Sequence, residues 1–142
     1  VYDFFASRAE PEPAAIAARL VEGDRNAAIA DLGVERAYGP ADSADQYDLV
    51  LCSYALSMFN PGWERAIEVA EADLNPGGII AVVDFSHTST PWFARWMEKN
   101  HVRMQGHLWP HLRQRFISLS DTRYPAYFHL WHYGIYVGRK RD

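Results

Sequence analysis

The chain has 142 residues, the usual size of one domain, and 49% of them are hydrophobic against 23% charged, which allows a sizeable core and argues against disorder. Its formal charge of −4 argues against a dedicated nucleic-acid or anionic-membrane binder, whose phosphate contacts need a basic surface. The single cysteine, Cys52, excludes an internal disulfide framework, and no run approaches the ~20 apolar residues of a membrane span.

Residues 2–20 read as a helix broken by Glu10-Pro11-Glu12-Pro13, with Ile16 and Leu20 four apart on one face of its second piece. A short alanine-rich helix is expected over residues 26–32, then a short strand over 34–38 and a polar turn over 39–45. Residues 47–53 form a nearly continuous apolar run, the mark of a strand buried on both faces of a parallel sheet. Asn60 and Pro61 supply a helix cap and first position, and Trp63, Ile67, Ala70 and Leu74 recur at helical spacing. Asn75-Pro76-Gly77-Gly78 predicts a turn, and residues 79–85 a second buried strand. Strand, amphipathic helix and strand make a βαβ unit, whose crossover brings Ser53-Tyr54 and Asp84-Phe85-Ser86 to one sheet edge. Beyond it, residues 91–101 and 102–115 read as helices, the second disturbed by Pro110. Residues 115–119 and 127–138 have the composition of two antiparallel strands. The chain is expected to be a single domain of a soluble, cytoplasmic protein; with Val1 in place of an initiator methionine, it reads as a processed or partial chain.

The run from Tyr47 to Phe59, then Leu74-Asn75-Pro76-Gly77-Gly78 and a strand closing in Asp84-Phe85, resembles the second half of a class I S-adenosylmethionine-dependent methyltransferase. Residues 100–107 and 131–140 are similar to the betaine-lipid headgroup N-methyltransferases and to the ubiquinone/menaquinone-type group. The resemblance implies an α/β, Rossmann-like fold with a mostly parallel sheet ending in an antiparallel hairpin. It also implies S-adenosylmethionine as cofactor and methyl transfer to a small-molecule or lipid-headgroup acceptor, with an amine as one candidate. One departure stands out: the family's glycine-rich DxGxGxG loop is absent, and Asp31-Leu32-Gly33-Val34-Glu35 matches only its start. Alignment therefore puts a missing segment at the junction of Arg25 and Asn26, taking with it the first strands and the acidic partner of the ribose. The alternative is a non-catalytic, methyltransferase-like binding domain.

By the same resemblance, Asp42 falls beside the adenine, or else is a turn-forming aspartate, and Ser53 and Tyr54 either contact the cofactor or simply end a strand. His101 and His107 are candidates to accept the proton of an amine nucleophile, with surface or core histidines as the plain reading. Arg103 suits a carboxylate, and the faces of Tyr54, Trp131 and Tyr133 suit a sulfonium or methylated ammonium. Trp92 and Trp96 share a broad helix face with Phe93 and Met97, as core packing or as a cover over an acyl or prenyl substrate. His107 and His111 stand four apart, but without an HExxH motif or a cysteine partner no metal site is expected. Cys52 reads as a packed thiol. A peripheral membrane contact completes the expected partners.

Overall fold

The computed structural model describes residues 47–58 and 62–141 in full, together with the backbone of two short strands, Phe4–Ser7 (β1) and Arg36–Ala37 (β2). The helices expected at 14–20 and 26–32, the 25/26 junction, Asp42 and the Asn60-Pro61 cap lie outside the described residues.

Tyr47–Ser53 (β3) pairs in parallel with Leu74–His87 (β4), joined by helix α1, Trp63–Asp73. This is the expected βαβ unit. Pro91–Lys99 (α2) and Leu108–Arg115 (α3) follow, and Phe116–Ala126 (β5) and Trp131–Lys140 (β6) close the sheet as an antiparallel hairpin. The strand order is β2-β1-β3-β4-β6-β5, so β6 inserts between β4 and β5. Among the described residues the parallel component is the β3–β4 pair alone, and the described sheet is therefore mixed.

The apolar runs of β3 and β4 reflect burial on both faces. Val50, Cys52, Ile80, Val82 and Tyr136 point to the face covered by α1 and α3, meeting Ile67, Ala70, Trp109 and Leu112. Leu49, Leu51, Ile79, Ala81, Val83, Ile135 and Val137 form the opposite cluster. Each fully buried aliphatic side chain contributes roughly 1.5–3 kcal/mol. A third, smaller core joins Phe93 and Met97 of α2 to Val102 and Met104, with Phe85, Leu130 and Trp131 packed against it. Arg115 ties the two helices of the first face together by donating to Glu71 and, at 3.1 Å, to Glu68.

Several boundaries differ from those the sequence predicts. Phe4–Ser7, expected as helix, is a strand laid antiparallel on the free edge of β3, where its backbone satisfies groups that an uncovered edge would leave open. Asn75-Pro76-Gly77-Gly78 lies inside β4. Pairing jumps from Tyr47–Leu74 to Leu49–Ile79, so these residues bulge out, with Gly77 at φ 76° taking the left-handed position that glycine tolerates. The bulge also turns Tyr47 to the same face as Val50. Residues 102–107 are not helical; Gly106 at φ 65° blocks a helix there, and Pro110 sits in the first turn of α3, where its missing N–H costs nothing. β5 runs to Ala126, far past residue 119, because residues 120–126 pair along β6; being mostly polar, they show no apolar run in the sequence. Residues 127–130 are a turn, so β6 starts at Trp131.

Gly134 of β6 lies beneath the Trp109 ring, and a Cβ built there would stand 2.5 Å from Cζ2. Gly134→Ala is expected to lower the unfolding free energy by about 1–3 kcal/mol through overpacking. Urea denaturation checks this as a lower midpoint with an unchanged slope.

Candidate active site

Parallel pairing places the ends of β3 and β4 side by side. Ser53, 4% exposed, stands opposite Val83, and the Tyr54 N–H donates to the Val83 carbonyl at 2.8 Å. Tyr54 has φ 52°, which turns the chain out of the sheet into the short 3-10 helix Leu56–Met58. The next residue of β4, Asp84, is fully buried. Its carboxylate accepts the Ser57 N–H at 3.0 Å and the Phe85 N–H at 2.8 Å, fastening the loop after β3 to the end of β4. Burial pushes the Asp84 carboxyl up to about 6, against the lowering effect of these hydrogen bonds. Asp84 was not among the candidates drawn from the sequence; its signal there is a lone acid closing the apolar run of residues 79–83.

Residues 100–107 form a strap across both strand ends. The Arg103 N–H donates to the Ser57 carbonyl at 2.9 Å, Gln105 bridges His87, and the Gly106 N–H donates to the Ser86 carbonyl at 2.7 Å. Between this strap and α2 lies a cleft of about 400 Å³, lined by Ala94 and Glu98 of the helix and by residues 101–105. His101 and Arg103 both open into it, and the Arg103 Nε donates to Gln105 Oε1 at 2.8 Å.

His107 stands apart from that cleft. Its ring packs edge-on against Trp63 at 4.9 Å, both ring nitrogens are buried without a hydrogen-bond partner, and burial, then the Arg103 charge, lowers its pKa to about 4. It is therefore uncharged at neutral pH. His111 packs on the same indole at 5.2 Å and accepts from Arg115 Nε. Among the described residues no group of His, Cys, Asp and Glu is placed to hold a metal ion.

The aromatic candidates divide into two sets. Tyr54, Phe85, Trp131 and Tyr133 form a chain of ring contacts at 5.0, 4.9 and 6.1 Å, beginning at the end of β3. Burial first, then Tyr133 and Asp84, pushes the Tyr54 phenol up to about 12, so it remains a neutral hydrogen-bond donor. Trp92 and Trp96 instead project from α2 into solvent, 61% and 56% exposed, while Phe93 and Met97 on the neighbouring stripe are buried. Cys52 is 1% exposed, and burial followed by Asp84 pushes its thiol far up, so it is not a nucleophile.

No family model matches this sequence, and no curated protein does. Solved structures do. The N-methyltransferase NodS from Bradyrhizobium japonicum WM9, in complex with S-adenosylhomocysteine, superposes with a TM-score of 0.59 at 14% identity, over 75% of this chain and 54% of its own. The 1,6-didemethyltoxoflavin-N1-methyltransferase of Burkholderia thailandensis, with bound 1,6-didemethyltoxoflavin and S-adenosylhomocysteine, matches with a TM-score of 0.55 at 19% identity, over 75% of this chain and 50% of its own. The chain has the class I methyltransferase fold. It spans about half the length of these two enzymes. The same fold also carries the [4+2]-cyclase SpnF, which matches with a TM-score of 0.60 at 16% identity, over 88% of this chain and 63% of its own. Fold and chemistry are therefore separate questions here.

Asp84 carries a pH signature. Because its folded-state pKa lies near 6 and its ordinary value near 3.8, the folded protein keeps a proton that the unfolded chain releases in between. Its contribution to stability is thus full below about pH 4 and falls as pH rises through about 6, by up to about 3 kcal/mol. Asp84→Asn is expected to flatten this part of the profile, measured by urea denaturation across pH 4 to 7.

Proposed function

We propose that this chain is part of an S-adenosylmethionine-dependent methyltransferase acting on a small-molecule or lipid-headgroup acceptor that carries an anionic group. The observation that carries this reading is the strap of residues 100–107, which is hydrogen-bonded to Ser57 in the loop after β3 and to Ser86 of β4, and which brings His101 and Arg103 to a cleft against α2. The residues at that edge fit the methionine end of the cofactor: Ser53 offers a hydroxyl, and the rings of Tyr54 and Phe85 offer faces suited to a positive sulfur. When bound, S-adenosylmethionine supplies a methyl group already activated by its sulfonium. Alignment is then the main work left to the protein.

In this reading Arg103 holds the acceptor's anionic group by a charge-assisted contact, and His101 takes the proton of an amine nucleophile. His107, uncharged and packed on Trp63, serves proton transfer only after a rearrangement that frees its nitrogens. Trp131 and Tyr133 line the approach next to Tyr54, where their faces favour a methylated ammonium. Trp92 and Trp96 stand outside the cleft and enter substrate binding only as an outer cover. The lipid-headgroup branch draws its support from the resemblance in residues 100–107 and 131–140, and a cytoplasmic location from the lone cysteine of the sequence.

A second reading, a methyltransferase-like domain that binds without catalysis, draws on a specific observation. The neighbour of β3 is the antiparallel β1, Phe4–Ser7, which contains no glycine to cradle the adenosine end. Calorimetric titration with S-adenosylhomocysteine separates the two. The catalytic reading expects weak or absent binding by the 142-residue chain and firm binding by a form carrying a glycine-rich loop between Arg25 and Asn26. No binding by either form favours the second reading. With an acceptor found by donor-consumption screening, Arg103→Ala is expected to raise the acceptor KM roughly ten- to hundredfold while leaving cofactor affinity unchanged. Wild-type kinetics in that variant would remove Arg103 from the site.

A further inference from the structure

We propose that the exposed aromatic surface formed by α2 and the β5–β6 turn docks on an anionic lipid bilayer. On α2, Trp92 and Trp96 lie one helical turn apart on the outer side, more than half exposed, although the buried stripe of Phe93 and Met97 beside them already closes the small core beneath. In the β5–β6 turn, Tyr127 is 75% exposed and Phe128 is fully exposed at 104%. Both are held, with His129, at positive φ of 48°, 55° and 66°, a conformation that turns normally give to glycine or asparagine. Tyr127 keeps one ring contact, with Trp131 at 5.8 Å, but the Phe128 ring is carried fully outward on a strained turn, which points to a surface-binding role.

The two sets belong to one region. The Thr88 hydroxyl donates to the Leu130 carbonyl at 2.6 Å and accepts the Thr90 N–H at 3.1 Å, clamping the turn to the start of α2. Leu130 and Trp131 pack on the same core as Phe93 and Met97.

Charge and shape select the occupant. Arg95 and Lys99 are exposed and follow Trp92 and Trp96 at a spacing of three, so cations interleave with the indoles along one side of α2. Glu98, the one acid of that helix, faces the cleft under the strap. The chain's formal charge of −4 argues against an anionic-membrane binder as a whole, but α2, with Arg95 and Lys99 against Glu98, is locally positive and complements an anionic surface at this one face. A turn tip with a wholly exposed phenylalanine protrudes and so cannot line a groove for a peptide, whereas a bilayer accepts a protruding ring. Tryptophan and tyrosine beside lysine and arginine is the composition that seats at headgroup depth. No described helix is long and apolar enough to cross a membrane, so the contact is peripheral. The inference stands independently of methyl transfer.

Co-sedimentation of the full chain with vesicles of phosphatidylcholine alone, and of phosphatidylcholine mixed with phosphatidylglycerol, tests it. Binding is expected to the mixed vesicles, weakening with salt. Trp92→Ser combined with Trp96→Ser, and separately Phe128→Asn, are each expected to weaken it at least tenfold. Arg95→Glu with Lys99→Glu should abolish the preference for the mixed vesicles. All these positions are exposed, and asparagine tolerates the backbone of residue 128, so thermal melts should stay as in the parent. The proposal is overturned if the parent does not bind, or if either aromatic variant binds as the parent does. It is equally overturned if the rings instead support concentration-dependent self-association without vesicle binding.

Discussion

Parallel strands cannot be joined by a tight turn, so pairing β3 with β4 commits the intervening residues to a crossover, and here that crossover is α1. The same pairing puts both carboxyl ends on one edge of the sheet. With Leu49, Leu51, Ile79 and Ala81 buried on one face and Val50, Cys52, Ile80 and Val82 on the other, neither strand can slip by a residue without exchanging its two cores. The geometry of the candidate site follows from this register.

At that edge, Asp84 converts a sheet end into a fixed loop. A buried carboxylate is costly unless its lone pairs are used, and Asp84 uses both oxygens on backbone N–H groups, one from Ser57 and one from Phe85. The loop bearing Tyr54 is thereby tied to β4, and Arg103 reaches the same loop through the Ser57 carbonyl. Strap, loop and strand form one hydrogen-bonded unit. Side chains on it are held by backbone contacts, as a binding site needs if it is to be organised before its ligand arrives.

The solved structures that share this fold include two N-methyltransferases and a [4+2]-cyclase, so the scaffold alone does not choose a reaction. The local features of this chain are Arg103 and His101 in a cleft with Glu98, and a run of rings from Tyr54 to Tyr133. The paired indoles of α2 lie on a different surface, exposed outside the cleft.

The amino-acid sequence by itself determined the βαβ unit. Its signals are short-range: two apolar runs of strand length, helical spacing from Trp63 to Leu74, and a Pro-Gly-Gly break between them. It also determined that residues 100–107 carry polar groups worth examining, though not that they form a strap. Only the tertiary structure decided that His101 and Arg103 share a cleft while His107 packs on Trp63, because six residues of non-helical chain point their side chains in directions no periodicity describes. Only it separated Trp92 and Trp96 from Phe93 and Met97, since a broad apolar helix face does not say which stripe the neighbouring core covers. The strand at Phe4–Ser7 and the long polar reach of β5 are likewise tertiary decisions. Phe4–Ser7 is selected by the backbone of β3, far away along the chain, and the outer half of β5 by pairing with β6 across the hairpin rather than by an apolar pattern of its own.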